Sequence, residues 1–306
     1  MATDQPPVEL PPATPAVAVH VEETRFDKVR GVVRRNRLLV SGVALIVAVI
    51  LFGTIGQLFI DEERSKVGAG PIARPPSLEH FLGTDVQGRD VLADVVYGTP
   101  ATLRLGLIAG VLGVAAGTIL AFTGGYFGGR WDAIVRLMTD VFLTVPALLV
   151  IIIIAELFDV ISIEAMGLLI AGFAWMGPAR TIRPQVLTLR ERTYVKVAKL
   201  NGMSNLEIIF KELMPNMMPY LAASLVGAVA SAILISIGIS ALGLGPQNEP
   251  SIGLTIFWAI HHGAMIRVMW WWLAPSVVIV VVLFLGLFMM TAGLDKIANP
   301  RLQTTV

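Results

Sequence analysis

Between Arg37 and Asp61 the sequence carries no charged side chain, and the same holds between Arg104 and Arg130 and between Glu212 and Glu249. An α-helix needs about 20 mainly apolar residues to cross roughly 30 Å of hydrocarbon, and within it every backbone N–H and C=O finds its partner inside the segment. Runs of this kind, in a chain that is 55% hydrophobic and 15% charged with a mean hydropathy of +0.76, exclude a soluble globular domain. They predict an all-α polytopic membrane protein. Six transmembrane helices are expected, at 38–60, 105–127, 137–157, 163–182, 219–244 and 273–293. In the third, Arg136 lies four residues before Asp140, a spacing that lets the two pair at the interface. The fourth contains Pro178 and reaches full length only by using its polar ends. Trp270, Trp271 and Trp272 precede the sixth and read as an interfacial aromatic belt.

The charged residues order the rest. Proline and small residues dominate the first 24 positions, too little apolar surface to order itself, and no basic start with an apolar core marks a secretory signal there. With the N-terminus placed inside, 17 of the 23 lysines and arginines fall in cytoplasmic segments, the bias that sets orientation. The expected layout is a basic cytoplasmic tail at 1–36, a first transmembrane helix at 37–60 and an extracytoplasmic loop at 61–103. A core of five transmembrane helices follows at 104–294, with a cytoplasmic loop at 183–215 and a cytoplasmic C-terminal tail at 295–306. Both termini are then cytoplasmic, in a multi-pass protein of the cell (plasma or inner) membrane.

Three constellations bear on chemistry. The loop has helical periodicity broken at Gly202: Tyr194, Val195, Ala198 and Leu200 stand before it, and Leu206, Ile209, Phe210 and Pro215 after it. Two short amphipathic helices joined by a glycine turn are predicted, since glycine tolerates positive φ; an amphipathic loop lying on anionic lipid fits the same periodicity. Gly106, Gly110, Gly113 and Gly117 recur at i, i+4, i+7 and i+11, one helix face that lets another helix approach closely. Ser240 within Gly238–Ala241, with His261 and His262 beyond, suggests a serine and histidine pair, but no orienting acid accompanies it and packing is the better reading. His20 and His80 add no metal-ligand spacing, and there are no cysteines. Gly124 to Gly129 lacks the lysine and hydroxyl residue of a phosphate loop, so the chain itself is expected to bind no ATP. Ionisable residues cluster at the ends of the runs, which argues against an ion-coupled secondary transporter.

The loop's YVKVAKLNG followed by IIFKELMPN resembles the EAA loop of binding-protein-dependent ABC importer permeases. HFLGTDVQGRDVLADVVYG, GGYFGGRWD, DVFLTVPALL and the terminal DKIANPRL are similar to segments of the dipeptide, oligopeptide and nickel branch, C-type subunit. Two departures stand out: Lys196 where the family has an acid, and Ala93-Asp94 where it has Ser-Arg. The resemblance implies a MetI-like permease core and a coupling helix in 183–215 that docks on a cytoplasmic ATPase. It implies as partners a homologous second permease, two ATP-binding cassette subunits and an extracytoplasmic solute-binding protein, with ATP and Mg held by the partner subunits and no cofactor, catalytic residue or metal on this chain. The implied cargo is a di- or oligopeptide moved inward by alternating access, with oligosaccharides or nickel as alternatives.

Overall fold

The computed structural model describes residues 36–158 and 160–298. Almost all of the tail expected at 1–36, and residues 299–306 of the one expected at 295–306, lie outside them. Among the described residues the elements are helical, with one isolated bridge pairing Thr84 and Asp90. Helix α1 is Arg37–Phe59, α2 Val91–Phe127, α3 Gly129–Thr144, α4 Ala147–Ala155, α5 Ile163–Ala174, α6 Met176–Arg190 and α7 Thr193–Leu200. Helix α8 is Asn205–Ala241, α9 Ile252–His261 and α10 Trp270–Ala298.

Four of these, α1, α2, α8 and α10, are long and apolar enough to cross a membrane. A fifth crossing results if α3 and α4 form one broken span, bent by 72°. The break sits at Val145 (φ −78°, ψ 126°), where the ring of Pro146 disfavours helical backbone in the residue before it. Helix α5, at 12 residues, covers only about 18 Å and is too short alone. It meets α6 at Trp175, whose φ −75° and ψ −24° are themselves helical. The fourth expected span therefore corresponds to two short helices.

Helix α2 organises the bundle: 50% of its most apolar stretch is buried, against 17–28% in the other three long helices. Its small residues are the reason. A Cβ on Gly106 would stand 2.3 Å from Ile233 Cγ1 and one on Gly110 2.9 Å from the Val229 backbone N, both on α8. On Gly113 and Gly117 it would stand 2.4 Å from Ala174 Cβ and 2.5 Å from the Trp175 carbonyl oxygen, at the α5–α6 junction. One glycine face thus admits two helices in succession.

The extracytoplasmic loop expected at 61–103 ends earlier. Helix α2 begins at Val91, where Asp90 caps it by accepting from the Leu92 and Ala93 N–H groups at 2.9 and 3.3 Å. The cap carboxylate also meets His80 Nδ1 at 2.8 Å, while Asp85 accepts from Arg89 Nε at 2.8 Å. This buried polar knot folds 61–90 onto the bundle end. Trp271 donates to the Thr84 carbonyl oxygen at 3.3 Å, and Trp272 is buried in a cluster with Val91, Val95 and Ile252. Of the three tryptophans expected to form an aromatic belt, only Trp270 is exposed, at 59%. The C-terminal boundary also moves, because α10 continues to Ala298.

Candidate coupling surface

Helix α7 ends in a Schellman arrangement. The Gly202 N–H reaches the Lys199 carbonyl at 3.0 Å and the Met203 N–H reaches that of Ala198 at 3.1 Å. Such a close needs a left-handed residue, and Gly202 has φ +79°. Two residues later Ser204 opens α8 with a capping box: its hydroxyl accepts from the Glu207 N–H at 3.3 Å, and Glu207 Oε2 accepts from the Ser204 N–H at 3.0 Å. Lys211 Nζ then donates to Glu207 Oε1 at 3.0 Å. Ile208–Leu213 is wound as a π-helix, with the Met214 N–H bonded to the Ile209 carbonyl. A turn closed on both sides by caps is stiff, and the wider winding turns Ile208, Ile209 and Leu213 inward together.

Burial divides the residues singled out in the sequence. Val195, Ala198 and Ile209 are buried in one apolar cluster with Phe122 and Tyr126 of α2 and Ile182 and Val186 of α6; Tyr194 packs against it. Burial pushes the Tyr194 phenol up from its ordinary value, with the Glu212 carboxylate adding to the effect. Leu206 and Phe210 face outward, 61% and 59% exposed, with Gly202 and Pro215 also exposed. Ile209 does not share their face, because the π-winding rotates it into the cluster. Leu200, expected among the apolar residues before the turn, is at 86% the most exposed of the set, and Val197, 48% exposed, extends the outer patch.

A second feature is concave. A cavity of about 350 Å³ lies between α4, α5, α6 and α8, lined among others by Phe173, Gly177, Thr181, Ser224, Gly227 and Ser231, with no charged side chain. A Cβ on Gly177 or Gly227 would meet nothing within 4 Å, the reverse of the α2 glycines. Ser240 is buried against Gly245 and Gly253, and His262 Nδ1 stands 3.1 Å from the Trp258 carbonyl oxygen, so the serine and the histidines form no pair. Among the described residues no group of His, Asp or Glu could hold a metal ion. Arg136 and Asp140 form no ion pair among the described residues; Arg183 on α6 engages Asp132 instead.

Residues 113–304, more than half of the sequence, match the family of binding-protein-dependent transport system inner membrane components. The chain belongs to this family. Among similar permeases is the oligopeptide transport system permease protein OppC of Lactococcus lactis subsp. cremoris, 28% identical over 275 residues, 89% of this chain and 93% of that one. OppC of Bacillus subtilis is 31% identical over 217 residues, covering 69% of each chain. The dipeptide transport system permease protein DppC of Bacillus subtilis is 31% identical over 217 residues, 70% of this chain and 67% of that one. The fold of the permease is similar to a chain of the MetNI methionine ABC transporter in inward facing conformations. The TM-score is 0.53 at 16% identity, covering 66% of this chain and 94% of that one.

Proposed function

We propose that this permease is one of two homologous membrane subunits of an ATP-driven importer of di- or oligopeptides, with both termini in the cytoplasm. The observation that carries the reading is the outer patch of Leu200, Leu206 and Phe210 on a doubly capped turn rooted in the bundle. Exposed apolar side chains on a stiff cytoplasmic projection suit a groove on another protein better than water. The permease names of its relatives, and the absence of a phosphate loop here, support placing ATP and Mg on two ATP-binding partner subunits. An extracytoplasmic binding protein would deliver the solute.

The small-residue cavity supports the cargo class. Serine and threonine hydroxyls with glycine backbone, and no fixed charge, can meet a peptide main chain without selecting its side chains. Under this reading α5 and α6 together make the sixth crossing, which puts the loop and both termini on one side. Binding of nucleotide would draw the ATP-binding subunits together and move the turn with them, and the helices around the cavity would open alternately to either side.

The test is co-purification with the ATP-binding subunits. Leu200→Asp and Phe210→Ser should leave the permease folded in detergent yet weaken its hold on those subunits at least about tenfold, the order expected when an interface anchor is lost. Retention of full association by the Leu200→Asp/Phe210→Ser double variant would refute the docking face. ATP hydrolysis should appear only when those subunits are present.

A further inference from the structure

The C-terminal end of α2 is held by the loop at several points, and they converge on one residue. Tyr126 is 5% exposed, in the same cluster as Val195, Ala198, Ile208 and Ile209. Its hydroxyl donates to Asn205 Oδ1, on the first residue of α8, at 2.9 Å. Lys199 of α7 places its ammonium 5.3 Å from the ring centroid. Arg190, the last residue of α6, donates through Nη1 to the Tyr126 carbonyl oxygen at 2.9 Å and to that of Gly125 at 3.2 Å, occupying carbonyls that the helix end leaves free. Both arms of the Gly202 turn and the helix that leads into it therefore meet the same residue.

The loop cannot shift relative to α2 without breaking these bonds or carrying the helix along. Helix α2 in turn has no slack against its neighbours, because Gly106 and Gly110 bring it against α8, and Gly113 and Gly117 against the α5–α6 junction. Those helices enclose the small-residue cavity. We infer that Tyr126 is a positioning residue whose hydroxyl bond to Asn205 carries displacement of the Gly202 turn into α2. The inference rests on the reading of the loop as the contact with the ATP-binding subunits. Burial of the ring alone would be served by phenylalanine, so the bond to Asn205 is the part that distinguishes transmission from packing.

The experiment uses the reconstituted complex of both permeases, the ATP-binding subunits and the cognate binding protein as isolated. It reads the ratio of binding-protein-stimulated to basal ATP hydrolysis, with assembly followed by co-purification. Tyr126→Phe and Asn205→Leu should each lower the ratio about threefold or more, on the scale by which single residues modulate coupling. The double variant should be no worse than the lower single, since one bond is removed either way. Asn205→Asp keeps the accepting oxygen and should retain the wild-type ratio. A wild-type ratio in Tyr126→Phe, or losses that multiply in the double variant, would overturn the inference. So would basal and stimulated rates that fall in step with the amount of assembled complex, the signature of a packing role. Wild-type permease that fails to co-purify with the ATP-binding subunits would overturn the loop's assignment itself, and that is read without any variant.

Discussion

Arg183 and Asp132 meet across 51 residues of chain in a two-point pair, Nε to Oδ1 at 2.5 Å and Nη2 to Oδ2 at 2.6 Å. The pair ties the start of α3 to the middle of α6, and both side chains are only about one-fifth exposed. A planar guanidinium fits a carboxylate with two parallel bonds; an ammonium does not. Arg183→Lys and Asp132→Asn should therefore each cost about 1.5 to 3 kcal/mol of stability, the range for hydrogen bonds to charged groups. Unfolding of the detergent-solubilised permease measures it, and an unchanged midpoint for Arg183→Lys would show that the two-point geometry contributes nothing.

At Gly202 the constraint is backbone, not space. The residue has φ +79°, and a Cβ there would touch nothing within 4 Å. Gly202→Val should strain the turn by on the order of 1 to 3 kcal/mol and lower transport and stimulated ATP hydrolysis together while the bundle stays inserted. Gly202→Asn should be much milder, because asparagine enters the left-handed region more readily. Lys196→Ala should also matter little, an exposed charge contact being worth about 0 to 1 kcal/mol. Equal rates for the valine variant and wild type in the reconstituted complex would exclude the turn as the coupling element.

The two sets of glycines should respond oppositely to the same change. Gly110→Ala would press a methyl against the Val229 backbone at 2.9 Å, which cannot yield as a side-chain tip can. A loss of about 1 to 3 kcal/mol is expected. Gly227→Ala adds a methyl in open space and should leave stability intact, or raise it slightly by restricting the unfolded chain. Comparable losses at both positions in an unfolding series would mean that the cavity is filled within the chain.

Topology can be read by labelling, and the native sequence has no cysteine to interfere. Asn201→Cys, beside the turn, should react with a membrane-impermeant maleimide only after the cytoplasmic side is opened. Val67→Cys, 72% exposed in the polar knot before α2, should react in intact cells. The expectation comes from the 17-to-6 division of basic residues when the N-terminus is placed inside. Labelling of Asn201→Cys from outside would invert the orientation.

The bundle and the loop were largely legible in the sequence. Charge-free runs located α1, α8 and α10, and YVKVAKLNG with its glycine located the turn, because span length and positive φ are demands that a local stretch must meet by itself. The register of the loop was not legible. Leu206, Ile209 and Phe210 lie within one turn and a half of ideal helix, so periodicity put them on one face; the π-winding of Ile208–Leu213 then sent Ile209 inward. The early start of α2 was hidden for a related reason. Val91 to Arg104 carries charge and so reads as loop by hydropathy, although Asp90 caps it as helix.

Sequence alone determined that this chain lies in a membrane, that it is helical, and that one basic segment turns at Gly202. These follow from transfer free energy and local backbone sterics, which each segment satisfies on its own. Only the tertiary structure decided which side chains the turn shows and which it hides, that Arg183 would choose Asp132, and that Tyr126 would meet Asn205, 79 residues on. Those outcomes depend on how helices distant in sequence come to lie together, and that is set by the close packing of all of them at once.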